Sequence, residues 1–526
     1  VDPPNTLGNE GDFYLNTTTG DIFQRDPLSW TQVGNLTGPQ GFPGPAGPPG
    51  EAGGSDRRDQ LAGLLGVDPK RISVPLPAVR PADCSSGGAL TLNVNGGPLG
   101  QVIGLLGHDA ISSPFTFLVA VRAAPGLSRT AFLDANAILS ITAAGSSTVR
   151  GIVSAFDLAG VDDGNGLYVA TVQPTFVRAD RTAEFGTFSN SKVSDIVVQV
   201  LGSEGISVGV PSTDVQLEYE VRLAETALAF AGRLMEREGL HYHVSDTGSM
   251  IVGDGNAVFP GGPELKYLGH FAVSGPGEAR LSSFRSGGSI VPEDATVVSW
   301  NSFAKQAILA DFTFPADDSA FGAGSVLGLA LEVETVDEGQ SRAAALLGRE
   351  QVRKSERLGT SNAPGVRAGR NILVTDTVGA GFAGSYVVTE VTHVAIPSQD
   401  GACFDYGNAF TAISEDVPFR PPRRTPQPRI GGLISAVVTN TGDPEALARI
   451  KVKFPWSSPD NSESRWVRFI QLASLRDPMF PMAPVPPSNF PEIDDEVLVG
   501  FIGGDPRRPV ALGYLYNGVN RPPEDP

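Results

Sequence analysis

The sequence predicts a mainly β protein of several domains, and three observations carry that reading. The chain has 526 residues, too many for one hydrophobic core and enough for three or four domains. Its 63 glycines and 43 prolines make up about a fifth of the chain, which favours short strands and turns over long helices. Val215, Leu217, Tyr219 and Val221 alternate with Gln216, Glu218, Glu220 and Arg222, the two-residue period of a half-buried strand.

Apolar residues are 40% and charged residues 18% of the chain, so most of it can bury a core. The net charge is -19, from 58 acidic and 39 basic residues. Nucleic-acid binding needs basic surface to displace counterions, so this balance argues against it. Cys84 and Cys403 are the two cysteines, too few for a disulfide framework or a thiolate metal site. They are read as free and buried. The absence of a run of about 18 apolar residues argues against stable membrane insertion. The polar start, Val1-Asp2-Pro3-Pro4, lacks the pattern of a secretory leader.

Residues 1–37 read as a small β unit. Asp12-Phe13-Tyr14-Leu15 and Asp21-Ile22-Phe23 flank Asn16-Thr17-Thr18-Thr19-Gly20, a hairpin signal. In 38–54, Gly38, Gly41, Gly44, Gly47, Gly50 and Gly53 fall at every third residue. Only glycine fits the crowded axis of three polyproline-like chains, so this spacing predicts a collagen-like triple helix. The alternative is a flexible Pro/Gly linker. A triple helix would make the protein a homotrimer. Residues 55–84 form a linker with a short helix that places Leu61, Leu64 and Leu65 on one side.

Residues 85–418 are strand-rich. After the alternating strand at 215–222, Ala227, Phe230, Ala231 and Leu234 recur at helical spacing up to a C-cap at Gly239. Leu240, Tyr242 and Val244 then alternate again. A further helix near 339–358 carries Ala343, Leu346 and Leu347 among many charges. The Pro/Arg run of 419–429 denies backbone donors and reads as an extended linker, its arginines solvated or docked on acidic neighbours. Residues 430–520 predict about five strands, which fits a small OB-type barrel. Ile450, Val452, Phe454, Trp456, Trp466, Val499 and Phe501 are its candidate core and interface residues. Residues 521–526 are a tail.

Little points to catalysis, and no cofactor is expected. His241 and His243 share one face of a strand, about 7 Å apart, but without a third ligand the expectation is an exposed strand face. The other histidines are His108, His270 and His393, the last read as structural. Asp162-Asp163-Gly164-Asn165-Gly166 has calcium-loop composition but lacks the closing bidentate Glu, and reads as a turn. Gly503-Gly504-Asp505-Pro506 joins strand to strand, without the helix N-terminus of a phosphate cradle. No nucleophile elbow or paired carboxylates emerge. The chain is therefore not expected to be an enzyme.

Several phrases resemble one family. Tyr406-Gly407-Asn408-Ala409-Phe410 leading to Asp416-Val417-Pro418-Phe419-Arg420-Pro421-Pro422 is similar to the junction of VgrG spike proteins of type VI secretion. Related spikes occur in contractile phage tails and extracellular injection particles. Arg449-Ile450-Lys451-Val452-Lys453-Phe454-Pro455-Trp456, Trp466-Val467-Arg468, Asp495-Glu496-Val497-Leu498-Val499 and Gly504-Asp505-Pro506-Arg507-Arg508-Pro509 resemble the family's OB domain in order and spacing. Ser113-Pro114-Phe115-Thr116-Phe117, the stretches 188–196 and 233–239, and Gly384-Ser385-Tyr386-Val387-Val388 resemble its hub. The resemblance covers about 85–526. It implies tandem β-barrel hub domains followed by an OB barrel, assembled as a trimer. It also implies inner-tube and baseplate proteins, a PAAR-like tip protein and effector cargo as partners, in a particle assembled in the bacterial cytoplasm and driven into a target envelope. Where the family continues into a β-helix needle this sequence stops, and its collagen-like front departs from the family pattern. Two rival readings are a trimeric receptor-binding or tail-fibre protein, and a spike carrying an enzyme module beyond Pro526.

Overall fold

The computed structural model describes residues 12–15, 21–26, 29–35, 54–72, 89–213, 215–269, 277–287, 291–301, 304–313, 325–329, 333, 335–397, 404–457, 463–470 and 490–522. The collagen-like glycines Gly38, Gly41, Gly44, Gly47, Gly50 and Gly53, both cysteines and His270 lie outside them. The chain divides into two units, 1–58 and 59–526. In the first, β1 (Phe13–Leu15), β2 (Asp21–Arg25) and β3 (Trp30–Asn35) form an antiparallel sheet.

The helix α1 (Gly54–Leu65) enters the second unit. There Leu61, Ala62 and Leu65 are buried against Leu106, Ala120 and Val394. Next come β4 (Ala89–Val94), β5 (Gly97–Pro98), β6 (Gln101–Ala110), β7 (Thr116–Ala123), the short α2 (Arg129–Phe132), β8 (Asn136–Ala143), β9 (Gly145–Asp162) and β10 (Asn165–Gln173). These strands pair in the order β6-β7-β10-β9-β8-β4-β5. They wrap one core that includes Leu92, Leu105, Phe117, Leu139 and Val153. Asp163 and Gly164, both at positive φ (45° and 75°), turn β9 into β10. This is the two-residue hairpin geometry that a right-handed strand twist favours, so the acidic loop is a turn.

Strand β11 (Ala183–Lys192) pairs with β12 (Gln216–Thr226). Between them α3 (Val193–Ser203) packs Ile196 and Leu201 into the first core, and α4 (Ala227–Glu238) adds Phe230 and Leu234. The hydroxyl of Thr226 caps α4 by accepting the Ala229 N–H at 3.2 Å, and Gly239 ends it at φ 78°. Strands β13 (His241–Val244) and β14 (Met250–Gly253) form a hairpin.

A second ring opens with β15 (Gly261–Tyr267) and β16 (Arg280–Ser286). It is interrupted by a three-stranded sheet of β17 (Asp294–Asn301), β18 (Gln306–Thr313) and β19 (Ser325–Leu329), covered on one face by α5 (Val336–Lys354). It resumes with β20 (Arg357–Ser361), β21 (Asn371–Asp376), β22 (Gly384–Pro397) and β23 (Phe404–Ser414). Pairing of β21 with β22 closes the order β21-β15-β16-β20-β23-β22 around Leu265, Phe284, Val391 and Phe410. Strands β6 and β22 pair from Ala110–Glu390 to Leu105–Ala395, so the two rings share one continuous wall.

Past the Pro/Arg run, β24 (Ile434–Asn440), β25 (Arg449–Lys453), β26 (Val467–Phe469), β27 (Glu496–Phe501) and β28 (Pro509–Leu515) close a barrel in the order β24-β25-β26-β28-β27. The fold is mainly β, a body of paired barrels with a small five-stranded barrel. Among the described residues no helix is long and apolar enough to cross a membrane.

Candidate functional site at the body–barrel junction

Strand β12 does not keep the exposed polar face that its alternation predicts. Glu220 and Arg222 are buried at 1% and 4% relative exposure. Glu220 meets the turn between β27 and β28, whose Asp505, Arg507 and Arg508 are themselves buried, while Arg222 donates to Glu184 and to the Glu225 carbonyl at 2.8 Å each. Helical spacing brings Arg233 and Arg237 of α4, four residues apart, to the same place.

Three guanidinium groups converge on Glu220. Arg237 Nη1 donates at 2.5 Å, and Arg233 Nη1 and Arg507 Nη1 each lie at 3.4 Å. Glu225 holds Arg233 with two bonds of 2.8 Å. Asp505 holds Arg507 at 3.0 and 2.7 Å. Glu238 adds a further contact to Arg237 at 3.4 Å, so each of these arginines meets at least one carboxylate, and no buried guanidinium of the three is left without a counter-charge. Burial is the largest influence on the Glu220 carboxyl and opposes its ionisation. The charges of Arg237, Arg507 and Arg233 outweigh it and hold the group well below the usual carboxylate range. Asp505 follows the same logic: burial opposes ionisation, and Arg507 reverses the balance and lowers its pKa.

A second layer straps the Pro/Arg run to the body. The Glu236 carboxylate accepts the backbone N–H groups of Arg424 and Thr425, each at 3.0 Å, and the Thr425 hydroxyl at 3.1 Å. Arg349 of α5 donates to the Pro421 carbonyl at 2.7 Å and the Glu236 carbonyl at 2.5 Å. Burial first, then the nearby Arg423, pushes the Arg349 pKa down to about 10. Arg420 pairs with Asp254, and Arg342 ties α5 to α4 through Glu238 at 2.8 Å. On the other side Arg465 of the barrel pairs with Glu218 of β12.

The predicted barrel residues separate into two groups. Ile450, Val452, Phe454 and Val499 are buried in one core, with Trp456 and Phe501 packed against it. Trp456 stacks on Phe454 with ring centroids 4.6 Å apart. Trp466 stands apart, under Arg449 and Lys451, in a cleft of about 760 Å³ beside the junction.

The histidine pair departs from expectation. His241 and His243 are buried (0% and 4% exposed) against Phe259, not on an open strand face. Gly369 presses on the pair: its φ is +72°, and a Cβ there would lie 2.4 Å from the His243 Cβ. His393 is also buried, with Nδ1 2.6 Å from the Tyr406 hydroxyl. Among the described residues no group of three His, Cys, Asp or Glu side chains is placed to hold a metal. Sequence reasoning missed the ionic cluster. Its available signal was the spacing of Arg233 and Arg237 opposite the acids of β12, with Asp505 and Arg507 in the barrel turn.

Comparison with known proteins agrees with this architecture. Residues 108–399, more than half of the chain, match the phage tail baseplate hub (GPD) model. Residues 434–516 match the type VI secretion system/phage-baseplate injector OB domain. The spike proteins VgrG5 and VgrG4b of Pseudomonas aeruginosa are 27% and 25% identical over 80% of this chain. The chain spans little more than half of their length, 56% and 55%. Among solved structures, the Escherichia coli c3393 protein, described as a type VI secretion component similar to phage T4 tail proteins gp27 and gp5, superposes with a TM-score of 0.58 at 18% identity. That match covers 81% of this chain and 99% of that one. A half-lidded PdpA–VgrG complex from Francisella gives a TM-score of 0.53 at 10% identity, covering 88% of this chain and 81% of that one. Identities this low carry the fold alone. With hub and OB models matched in the order in which the two parts are built, the chain belongs to the phage tail baseplate hub family.

Proposed function

We propose that this protein is the central hub and spike of a contractile injection machine, joining the inner tube to a membrane-puncturing tip. The observation that carries the reading is the junction: a small barrel whose turn is sunk into the body and held there by a buried ion cluster. A joint of that kind suits a part that transmits thrust. In this reading 85–418 is the hub, 419–429 the linker and 430–520 the OB spike domain, with Ile450, Val452, Phe454, Trp456, Trp466, Val499 and Phe501 in its core and contacts.

The working form is a homotrimer, wound together at the front by Gly38, Gly41, Gly44, Gly47, Gly50 and Gly53. Its partners are the tube and baseplate proteins, a PAAR-like tip and effector cargo, and its role is structural, with no cofactor. The particle assembles in the bacterial cytoplasm and its spike is delivered to the target envelope. Two tests separate this from a fibre protein. High-resolution images of assembled particles should place the chain on the central axis in three copies, and native mass measurement should give a trimer. A peripheral position, or a stable monomer at micromolar concentration, overturns the proposal. A second reading, a spike bearing an enzyme module, is favoured by one relative named an actin cross-linking toxin, of which this chain covers 35%. Assaying the intact gene product for a C-terminal activity tests it.

A further inference from the structure

The Pro/Arg run is gripped where it begins. Asn256, in the loop after β14, holds three points of the incoming chain. Its Nδ2 donates to the Glu415 and Val417 carbonyls at 2.8 and 2.7 Å, and its Oδ1 accepts the Phe419 N–H at 2.9 Å. Phe419 is then buried at a near-right angle to the His241 ring, with centroids 5.4 Å apart, while Phe259 stacks on the same imidazole at 4.8 Å. Arg420 passes through a slot. A Cβ on Gly348 of α5 would lie 2.8 Å from its Cγ, and one on Gly239, at φ +78°, 3.0 Å from its Cδ. Beyond the slot its guanidinium pairs with Asp254.

This grip depends on a neutral His241. Its Nε2 already serves the Gly255 carbonyl at 2.6 Å, and its Nδ1 is buried without a hydrogen-bond partner among the described residues. A second proton would have to sit on that Nδ1, beside two phenyl rings and out of reach of water. The charged groups around the histidine pair do not offset that cost. Arg420 and Asp254, which face His241, are paired with each other. Asp109 and Arg370, which face His243, are paired with Arg367 and Asp246. Room to move is at hand, since residues 416–418 and Arg420 form one wall of a cavity of about 550 Å³ against α5. The ion cluster at the barrel responds differently: Glu220, held well below the usual carboxylate range, stays ionised where histidines charge.

We infer that Phe419 and Arg420 are a proton-released latch on the linker between body and barrel. Neutral His241 keeps it closed, and protonation of that imidazole frees the start of the linker while the buried ion cluster keeps the barrel pinned.

The test is hydrogen–deuterium exchange of the full chain at pH 7.5 and 5.0, with labelling times scaled to the intrinsic rate at each pH. Burial lowers the His241 pKa from 6.5 to about 4, so an opened latch takes up the proton first. Peptides over 415–425 should lose protection by about thirtyfold at pH 5.0, with β24 and β27 unchanged. His241→Phe keeps a ring in the pocket and removes the titration, so most of the pH response should vanish. Phe419→Ala supplies a second arm, with the linker open at both pH values. Circular dichroism confirms that each variant is folded. A linker that stays protected at pH 5.0, a barrel and rings that open along with it, a full response in folded His241→Phe, or a closed linker in Phe419→Ala overturns the inference.

Discussion

Glu220 illustrates how one side chain can decide whether a joint holds. Its carboxylate lies among Arg233, Arg237 and Arg507 at 1% exposure. Removing its charge takes from Arg233, Arg237 and Arg507 the carboxylate they share, and breaking a buried pair from one side costs about 3–5 kcal/mol. Glu220→Gln should therefore lower the unfolding free energy by about that amount, read from urea melts. The histidines also tie stability to pH. Burial first, then His243 and Arg420 at His241 and Arg370 at His243, lowers the pKa of both to about 4 from the ordinary 6.5. A depressed histidine is neutral in the folded state while the unfolded chain takes up the proton. Their stability contribution is thus full above pH 6.5 and is lost as pH falls toward 4, on the order of 3 kcal/mol for each. Melting temperatures measured from pH 7.5 down to 4.5 should fall through this window, and His243→Gln should flatten the slope.

Elements carry the second level. The strap over 420–425 is extended because its prolines supply no donors, yet it is not loose: Glu236 accepts the Arg424 and Thr425 N–H groups and Arg349 donates to the Pro421 carbonyl. Glu236→Ala should release it, with faster amide exchange at Arg424 and Thr425 and little change inside the five-stranded barrel, as hydrogen–deuterium exchange would report. Strand β12 shows what a sequence can and cannot disclose. Leu217, Tyr219 and Val221 announce the strand and its core face by period alone. The burial of Glu220 and Arg222 is invisible to any local pattern, because Arg507, which meets Glu220, lies 287 residues further on. His241 and His243 mislead for the same reason: Phe259, Phe419 and Gly369, which cover them, come from later segments. The barrel core was more legible, since Ile450, Val452 and Phe454 alternate within one strand and need only its neighbours to be buried.

At the scale of the whole molecule, the described second unit is one body of two joined rings with a third, smaller barrel pinned to it by charge. The barrel has an apolar core of its own, so pinning by charge, not a shared core, makes it unfold with the rings. Arg507→Ala should break that coupling. Calorimetry should then show two transitions in place of one, the barrel melting first because its core is the smaller. The wall between the rings behaves differently. Six residue pairs of β6 and β22 run antiparallel there, so force directed along those strands stretches their hydrogen bonds in shear, all at once, and offers no end from which to unzip them. Under mechanical strain the rings would move as a single plank, and yielding would begin at the charged hinge above the cleft.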